Sequence, residues 1–425
     1  MELKPYMQVR LTNGKTCRIK KELGRGGQGV VYLVDYNGKD YALKWYIQQY
    51  KTSFYDNLDK NIKAGAPTKN FLWPLALTER QFDSFGYIME LRPSTYQEMG
   101  MFILAKAKMP ISATMNTALQ ICTAFQQLHI RGLCYQDMND GNFFINPQTG
   151  DVLICDNDNV TPNGVNTGIA GKAGYMAPEI VERQSMPNRY TDFFSQAICL
   201  FILFFLNRPF EGAYYRSCPC LTPEYEKKLF GKDAIFIMDP DNPKNRPVRG
   251  LHKNVITRWP LYPSFFRESF QKAFSHEAII DPTKRIIDRK WQEIIIQLRS
   301  LFVKCPICKE YTFIDLSDNS TNKCFECGKG IPSFNSMKVG HYSIPIIPGQ
   351  KIYECQVRDS KDLYESVGEV VVGSAGSWGL RNTGGLVWTV MRPDGSIRYI
   401  KPGEGTAAPK GFKIKFGSDL TGEIY

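Results

Sequence analysis

The chain has 425 residues, 43% of them hydrophobic and 22% charged, a balance that supports ordinary globular cores and excludes bulk disorder. The net charge is +11, but no run of five Lys/Arg occurs. That argues against nucleic-acid binding and leaves an evenly basic surface suited to anionic ligands such as nucleotides or acidic substrates. The opening Met1-Glu2-Leu3-Lys4-Pro5 lacks the apolar stretch of a secretory signal. The longest greasy run, Phe193 to Leu206, contains Ser195 and Gln196 and is short for a bilayer span, so it predicts a buried central helix and no membrane association. Twelve cysteines without an export signal point to a reducing compartment, the cytoplasm.

The first 90 or so residues read as strands. Asn13-Gly14 and Asn37-Gly38 each sit between strand-like runs and signal hairpins, because such turns need positive φ at their centre. Residues 51–65 read as a helix with Thr52 or Ser53 as N-cap. From about 97 to 300 the apolar spacing is mostly helical, most clearly over Ala113–Leu128 and Trp291–Phe302. Residues 212–262 read as irregular. Paired cysteines begin after 303, and short β-like runs separated by Gly and Pro begin near 340. The expected fold class is α+β: a β-rich small lobe (1–91), a helical large lobe (92–300), a metal ribbon (301–335) and a small all-β sandwich (340–425).

Gly24-Arg25-Gly26-Gly27-Gln28-Gly29 fits G-x-G-x-x-G, with Val31 two positions on. Glycines let backbone amides approach phosphate oxygens without a Cβ in the way. A dinucleotide site would need a helix next; here the strand VVYLVDY follows, which suits a hairpin loop over a nucleotide. Lys44, in Tyr41-Ala42-Leu43-Lys44, falls on the third strand. In isolation it reads as a surface lysine; beside the glycine loop it reads as an inward ammonium that needs an anionic partner, such as the α/β-phosphates of ATP.

From these residues on, the chain resembles the protein-kinase family over residues 1 to about 300. Tyr135-Gln136-Asp137-Met138-Asn139-Asp140-Gly141-Asn142 is similar to the catalytic loop H-R-D-x-x-x-x-N at Asp137 and Asn142. Asp156, in VLICDND, aligns with the Asp of D-F-G; Ala177-Pro178-Glu179 matches A-P-E. Asp192 resembles the helix-start Asp that steadies the catalytic loop, and Arg285 the arginine that pairs with the A-P-E glutamate. Glu90-Leu91 looks like the hinge whose backbone reads adenine. The resemblance implies that Gly24, Gly26, Gly29, Val31, Lys44, Glu90 and Leu91 hold ATP, that Asn142 and Asp156 hold Mg²⁺, and that Asp137 is the base at a Ser or Thr hydroxyl of a protein substrate. The wording DNDNV, GYMAPE, FLWPL and ALKWY is similar to bacterial kinases encoded beside a PP2C-type phosphatase and a von Willebrand-type protein in tellurite-resistance and stress-response clusters, which makes those two proteins expected partners.

The pattern also departs from the family. Tyr135 and Gln136 replace His and Arg. Gln136 cannot pair ionically with a phosphate, so activity should not require phosphorylation of the activation loop at Thr161 or Thr167. D-F-G has become Asp156-Asn157-Asp158, with Asp158 read as a turn carboxylate or an aid to magnesium. Asn139 stands where many Ser/Thr kinases have lysine. No glutamate occurs between Glu22 and Glu79, so Asp56 or Asp59 on the helix would have to pair with Lys44, unless both are plain surface aspartates. A nucleotide-binding pseudokinase scaffold is the alternative function, a small-molecule phosphotransferase a further one.

Cys305-Pro306-Ile307-Cys308 and Cys324-Phe325-Glu326-Cys327 give two C-x₂-C knuckles 15 residues apart, the spacing of a structural zinc ribbon with Cys305, Cys308, Cys324 and Cys327 as ligands. Four thiolates leave no open position for catalysis. The tail, with Pro393-Asp394-Gly395 as a hairpin signal, resembles a degenerate FHA-type sandwich at Gly373, Leu380-Arg381-Asn382 and Phe416-Gly417. Ser374 stands where FHA domains carry the phosphothreonine-binding arginine. A docking module without phosphopeptide affinity is therefore the competing reading, with Arg381 as a substitute cation in the other.

Overall fold

The computed structural model describes residues 2–166, 168, 171–317, 322–373, 376–418 and 420–425. Two compact units emerge: Met1–Val255 with Phe270–Trp291, and Ile256–Ser269 with Gln292–Tyr425. This division falls at Gln292, inside a helix that spans Asp288–Ser300, and takes 256–269 with the C-terminal part.

The first unit opens on a six-stranded antiparallel sheet in the order β1 (Gln8–Arg10), β2 (Thr16–Arg25), β3 (Gly29–Tyr36), β4 (Lys39–Tyr46), β6 (Gly86–Glu90), β5 (Ala76–Leu77). Asn37 and Gly38 both take positive φ (53° and 77°), the two-residue loop that matches strand twist. At the first hairpin only Gly14 does so, at 77°. Because β1 adds a strand, Lys44 lies on the fourth strand, not the third. Side chains alternate along a strand, so β4 splits its residues between two cores. Leu43 and Trp45 join Val9, Ile19, Val30 and Val34 on one face. Ala42 and Tyr46 face the other way, onto Phe54, Leu58, Phe85 and Tyr87. Lys44 shares that second face by parity and lies opposite Tyr87 in the β4–β6 register. Glycine is obligatory at two points beside this strand: a Cβ on Gly29 would meet the Trp45 carbonyl oxygen at 2.4 Å, and one on Gly86 the Lys44 oxygen at 2.3 Å.

Helix α1 (Thr52–Ala64) buries Phe54, Leu58 and Asn61, one face at helical spacing. Lys51 is its N-cap and makes no side-chain cap bond; Thr52 and Ser53 fall inside the first turn instead. Gly65, at φ 72°, ends it by donating to the carbonyls of Asn61 and Ile62. Beyond the sheet the unit is mainly helical. The long helix expected over 113–128 spans Ile111–Ile130. The greasy run forms Arg189–Phe205, capped reciprocally by Asn188 and Thr191 and buried from Thr191 to Phe205. Among the described residues no helix is long and apolar enough to cross a membrane. The segment read as irregular holds short helices, among them Pro223–Phe230, whose start is fixed by the Thr222 hydroxyl and a proline at the first turn.

Glu179 and Arg285 form a bidentate pair at 2.8 and 2.7 Å, with the Arg285 side chain only 1% exposed. Arg285 also donates to the carbonyls of Tyr190 and Ala278, so one guanidinium ties three segments.

In the second unit, Phe302–Lys304 pairs with Tyr311–Phe313, the two strands flanking the first cysteine knuckle. The tail forms two antiparallel sheets. One runs Tyr342–Pro345, Ser336–Val339, Thr421–Ile424, Lys413–Lys415, Trp388–Met391, Ile397–Ile400; the other Lys351–Tyr353, Ser366–Val372, Trp378–Asn382, Gly405–Ala407. Both contribute to one buried cluster, with Met337, Trp388, Val390, Ile414 and Ile424 from the first and Ile352, Val367, Val370 and Leu380 from the second. Gly395, at φ 83°, closes the hairpin read from Pro393-Asp394-Gly395.

Removing one partner of a buried ion pair strands the other charge. Glu179→Ala is expected to lower the unfolding free energy by about 3–5 kcal/mol in denaturant titration.

Candidate active site and metal centre

The groups expected to act at the site come from three places that the topology brings together. Lys44 comes from β4. Asp137, Asn139 and Asn142 come from the loop between the strands Leu133–Tyr135 and Phe143–Ile145. Asp156 follows the strand Val152–Ile154. The last two strands pair, so Asn142 and Asp156 leave the same end of one ladder.

Hydrogen bonds run through these residues. Asn142 donates its side-chain amide to the Asp137 carbonyl at 2.8 Å, and its own carbonyl accepts from the Cys155 N–H at 2.9 Å. Asn139 donates to the Asp137 carboxylate at 3.0 Å. The Tyr135 phenol donates to the Cys155 carbonyl. Burial raises the Asp137 carboxyl above its ordinary range, against the Asn139 amide and the Lys172 backbone N–H, which makes it a better proton acceptor. Asp156 takes left-handed backbone angles (φ 50°, ψ 44°), a strained conformation that surrounding bonds must hold. Its side chain stays 40% exposed. Since the Asn142 amide nitrogen is engaged, its oxygen is left, together with the Asp156 carboxylate, as a hard donor pair; these suit Mg²⁺, which would neutralise phosphate charge there.

Lys44 is 5% exposed. Its ammonium meets Asp158 at 2.9 and 3.1 Å, Gln28 of the glycine loop at 3.2 Å and Asp156 at 3.3 Å. Against the effect of burial, the carboxylates of Asp158 and Asp156 hold the ammonium above the ordinary lysine range, so it stays charged. Asp158 is fully buried and also accepts from the Tyr46 hydroxyl (2.6 Å) and the Tyr87 hydroxyl (3.2 Å). Asp158 is thus the carboxylate on the lysine and no mere turn residue. Asp56 is exposed, and Asp59 pairs with Lys63 at 2.6 Å. Helix α1 is held differently: Asn57 and Asn61 both donate to the Val160 carbonyl, at 2.8 and 2.9 Å. The sequence reading passed over Tyr46, Tyr87, Asn57 and Asn61. Strand parity with Lys44 signals the first, and the asparagine in the apolar stripe of helix α1 signals the last.

Val31 lies opposite Lys44 in the β3–β4 register. Glu90 and Leu91 are exposed at the end of β6. In the glycine loop, Gly29 is required by packing, whereas among the described residues a Cβ on Gly24, Gly26 or Gly27 would meet nothing within 4 Å, and none of the three has positive φ. Gln136 donates to the Thr161 hydroxyl at 2.6 Å and to the Val165 carbonyl at 3.0 Å, and Thr161 is fully buried. Thr167 lies outside the described residues.

Residues 17–217 match the family model of the protein kinase domain. Over these residues the chain carries a protein kinase domain. Protein kinase C delta type of Mus musculus is 25% identical over 243 residues, covering 52% of this chain and 35% of that protein. Leucine-rich repeat serine/threonine-protein kinase 1 of Caenorhabditis elegans is 33% identical over 142 residues, 29% of this chain and 6% of that protein. Probable serine/threonine-protein kinase gdt4 of Dictyostelium discoideum is 26% identical over 262 residues, 54% of this chain and 15% of that protein. The chain therefore spans about a third or less of the length of these curated relatives.

In the second unit, the sulfurs of Cys305, Cys308, Cys324 and Cys327 all lie within 4.8 Å of one another. The two knuckles repeat one geometry. The N–H of Lys309 donates to the Cys305 carbonyl, and that of Gly328 to the Cys324 carbonyl, with both residues at positive φ (69° and 66°). Four thiolates at this spacing fit a tetrahedral ion with bonds of about 2.3 Å.

The loop that carries Asp137 rests on a buried charge cluster. Asp192 accepts from the Tyr135 N–H at 2.6 Å and contacts His129 Nε2 at 3.0 Å, while His129 Nδ1 contacts Asp288 at 2.7 Å. Burial alone would lower the His129 value, but its bonds to Asp192 and Asp288 carry it up to about 9. The imidazolium stabilises the fold fully below the unfolded value of about 6.5 and ceases to do so as pH passes 9. The melting temperature is therefore expected to fall from pH 6.5 to 9, and a folded His129→Leu variant should lose that slope.

Proposed function

We propose that the chain is an ATP- and Mg²⁺-dependent protein kinase that transfers the γ-phosphate to a Ser or Thr hydroxyl of a protein partner. The observation that carries this reading is the convergence of a buried, paired Lys44 with Asp156, Asn142 and Asp137 in one bonded network beneath a glycine loop. The loop supports it independently. Among the described residues nothing in packing or backbone calls for glycine at 24, 26 and 27, whereas close approach of phosphate oxygens would. In this reading Gly24, Gly26, Gly29, Val31, Glu90 and Leu91 shape the nucleotide site, and Lys44 holds the phosphates. Asn142 and Asp156 hold the metal, and Asp137 receives the hydroxyl proton.

The neutral bonds of Gln136 to Thr161 and Val165 support activity without phosphorylation of the activation loop. They tie that loop down with no anion, and the Thr161 hydroxyl is sealed from an incoming kinase. Residues 1–300 would form the bilobal kinase, 301–335 a structural zinc ribbon and 340–425 an FHA-like module. The two sheets around one core support the last of these. Its Arg381 is already paired with Glu369 at 3.3 Å, which favours docking over phosphopeptide binding; Ser374 lies outside the described residues. A cytoplasmic setting, with a PP2C-type phosphatase and a von Willebrand-type protein as partners, completes the reading.

Incubation with labelled ATP, Mg²⁺ and a generic protein substrate tests it. Wild type, before and after phosphatase treatment, should label protein at the same rate. Asp137→Asn should lose about 10²–10⁴-fold in rate. Nucleotide binding without label in wild type would make the chain a pseudokinase scaffold. For the ribbon, elemental analysis should find one zinc per chain, and Cys324→Ser should lose it together with protease resistance of residues 301–335.

A further inference from the structure

Lys44 faces a problem that its helix does not solve. A buried ammonium without a fixed anionic partner is costly, and one whose partner is mobile is poorly aimed. Helix α1 supplies no glutamate, and its two aspartates are engaged elsewhere: Asp56 with solvent, Asp59 with Lys63. Asp158 meets the lysine through both carboxylate oxygens. Each of those oxygens is in turn held by a phenol, Oδ2 by Tyr46 and Oδ1 by Tyr87. Tyr46 lies two residues beyond Lys44 on the same face of β4, and Tyr87 lies directly across from Lys44 on β6. The sheet thus aims one ammonium and two hydroxyls at a single point, and the carboxylate sits there. Burial, with the Asp158 charge close by, pushes both phenols well above the ordinary tyrosine range, so they remain donors.

We infer that Asp158 is the positioning residue for Lys44. Held by Tyr46 and Tyr87, it does from the activation segment what a helix carboxylate would otherwise do. This rests on the reading of the residues around Lys44 as a nucleotide site. It divides labour between two aspartates of one turn. Asp156, 40% exposed and with one contact to Lys44, is free to turn toward a metal, while Asp158, fully buried, keeps the lysine in place. It also makes the aim of Lys44 independent of helix α1, which the same segment holds separately through the Val160 carbonyl.

The test compares wild type, Asp158→Asn, Tyr87→Phe, Asp56→Ala and Asp59→Ala in the full chain. Two readouts are used: the KM for ATP, and the pH profile of Lys44 acetylation under trace acetic anhydride, read by mass spectrometry. Loss of a hydrogen-bonded charge partner should raise the KM of Asp158→Asn about 10- to 100-fold. It should also move Lys44 acetylation to lower pH. The two helix variants should match wild type in both. A residue that only supported folding would reduce the active fraction and leave KM and the acetylation profile of the folded protein unchanged, and that result would overturn the inference. So would a raised KM in Asp59→Ala. If Asp158→Asn does not fold, Tyr87→Phe decides: a smaller shift in both readouts supports the inference, and unchanged values sink it. If wild type binds ATP without transferring phosphate, the kinase reading fails alone, because calorimetric Kd for Mg·ATP replaces KM. If wild type binds no ATP, both fail.

Discussion

An ammonium placed inside the protein must be paired, and much of the kinase domain's geometry follows from pairing the one on Lys44. The alternation of β4 turns Leu43 and Trp45 into one core and leaves Ala42, Lys44 and Tyr46 on the opposite face. Apolar packing on both sides keeps that strand in place, so the lysine has a fixed origin. Its end is fixed by Asp158, and Asp158 by two phenols on the same sheet face. The five residues 156–160 then serve several elements at once. They bring a part-exposed carboxylate to Lys44 at Asp156, a clamp to the lysine at Asp158 and an acceptor to helix α1 at Val160. A shift of this short stretch would disturb all three, which gives a physical reason for its close tethering. Asn157 adds to that tethering by donating to the carbonyls of Leu72 and Ile154.

The second unit answers a different need. Of its described residues, the short segment 301–335 adds only Leu301, Val303 and Ile314 to a small buried cluster, and the thiolate group offers a cross-link beside it. The tail behind it has a core, with Trp388 against Phe416 at its centre and Gly368 left bare because the Trp388 ring occupies the space a Cβ would need.

Much of this was legible in the sequence because it depends on local rules. Asn37-Gly38 announced its turn, the two C-x₂-C pairs announced their knuckles, and the greasy run announced a buried helix. The order of the glycine loop, Lys44, Asp137, Asn142 and Asp156 announced residues that one hydrogen-bonded network brings together. What escaped depends on contacts between distant segments. Asp158 looked like a turn carboxylate because nothing local distinguishes it; its partner is 114 residues away. Asp56 and Asp59 are the expected partners of Lys44 because both lie on a helix, whereas the protein places the charge on the turn after Asp156. Short helices such as Pro223–Phe230 were hidden because two turns carry too few residues to show a period.

The central claim is that these groups converge on a nucleotide and its metal. Thermal denaturation of the full chain with Mg²⁺ and a non-hydrolysable ATP analogue tests it without reference to turnover. Ligand at a hundredfold excess over Kd should stabilise the wild-type kinase domain by about 2.7 kcal/mol. That gain should depend on magnesium and vanish in a folded Lys44→Met variant. An unchanged melting temperature in wild type at millimolar nucleotide, or equal stabilisation of wild type and Lys44→Met, would contradict the account.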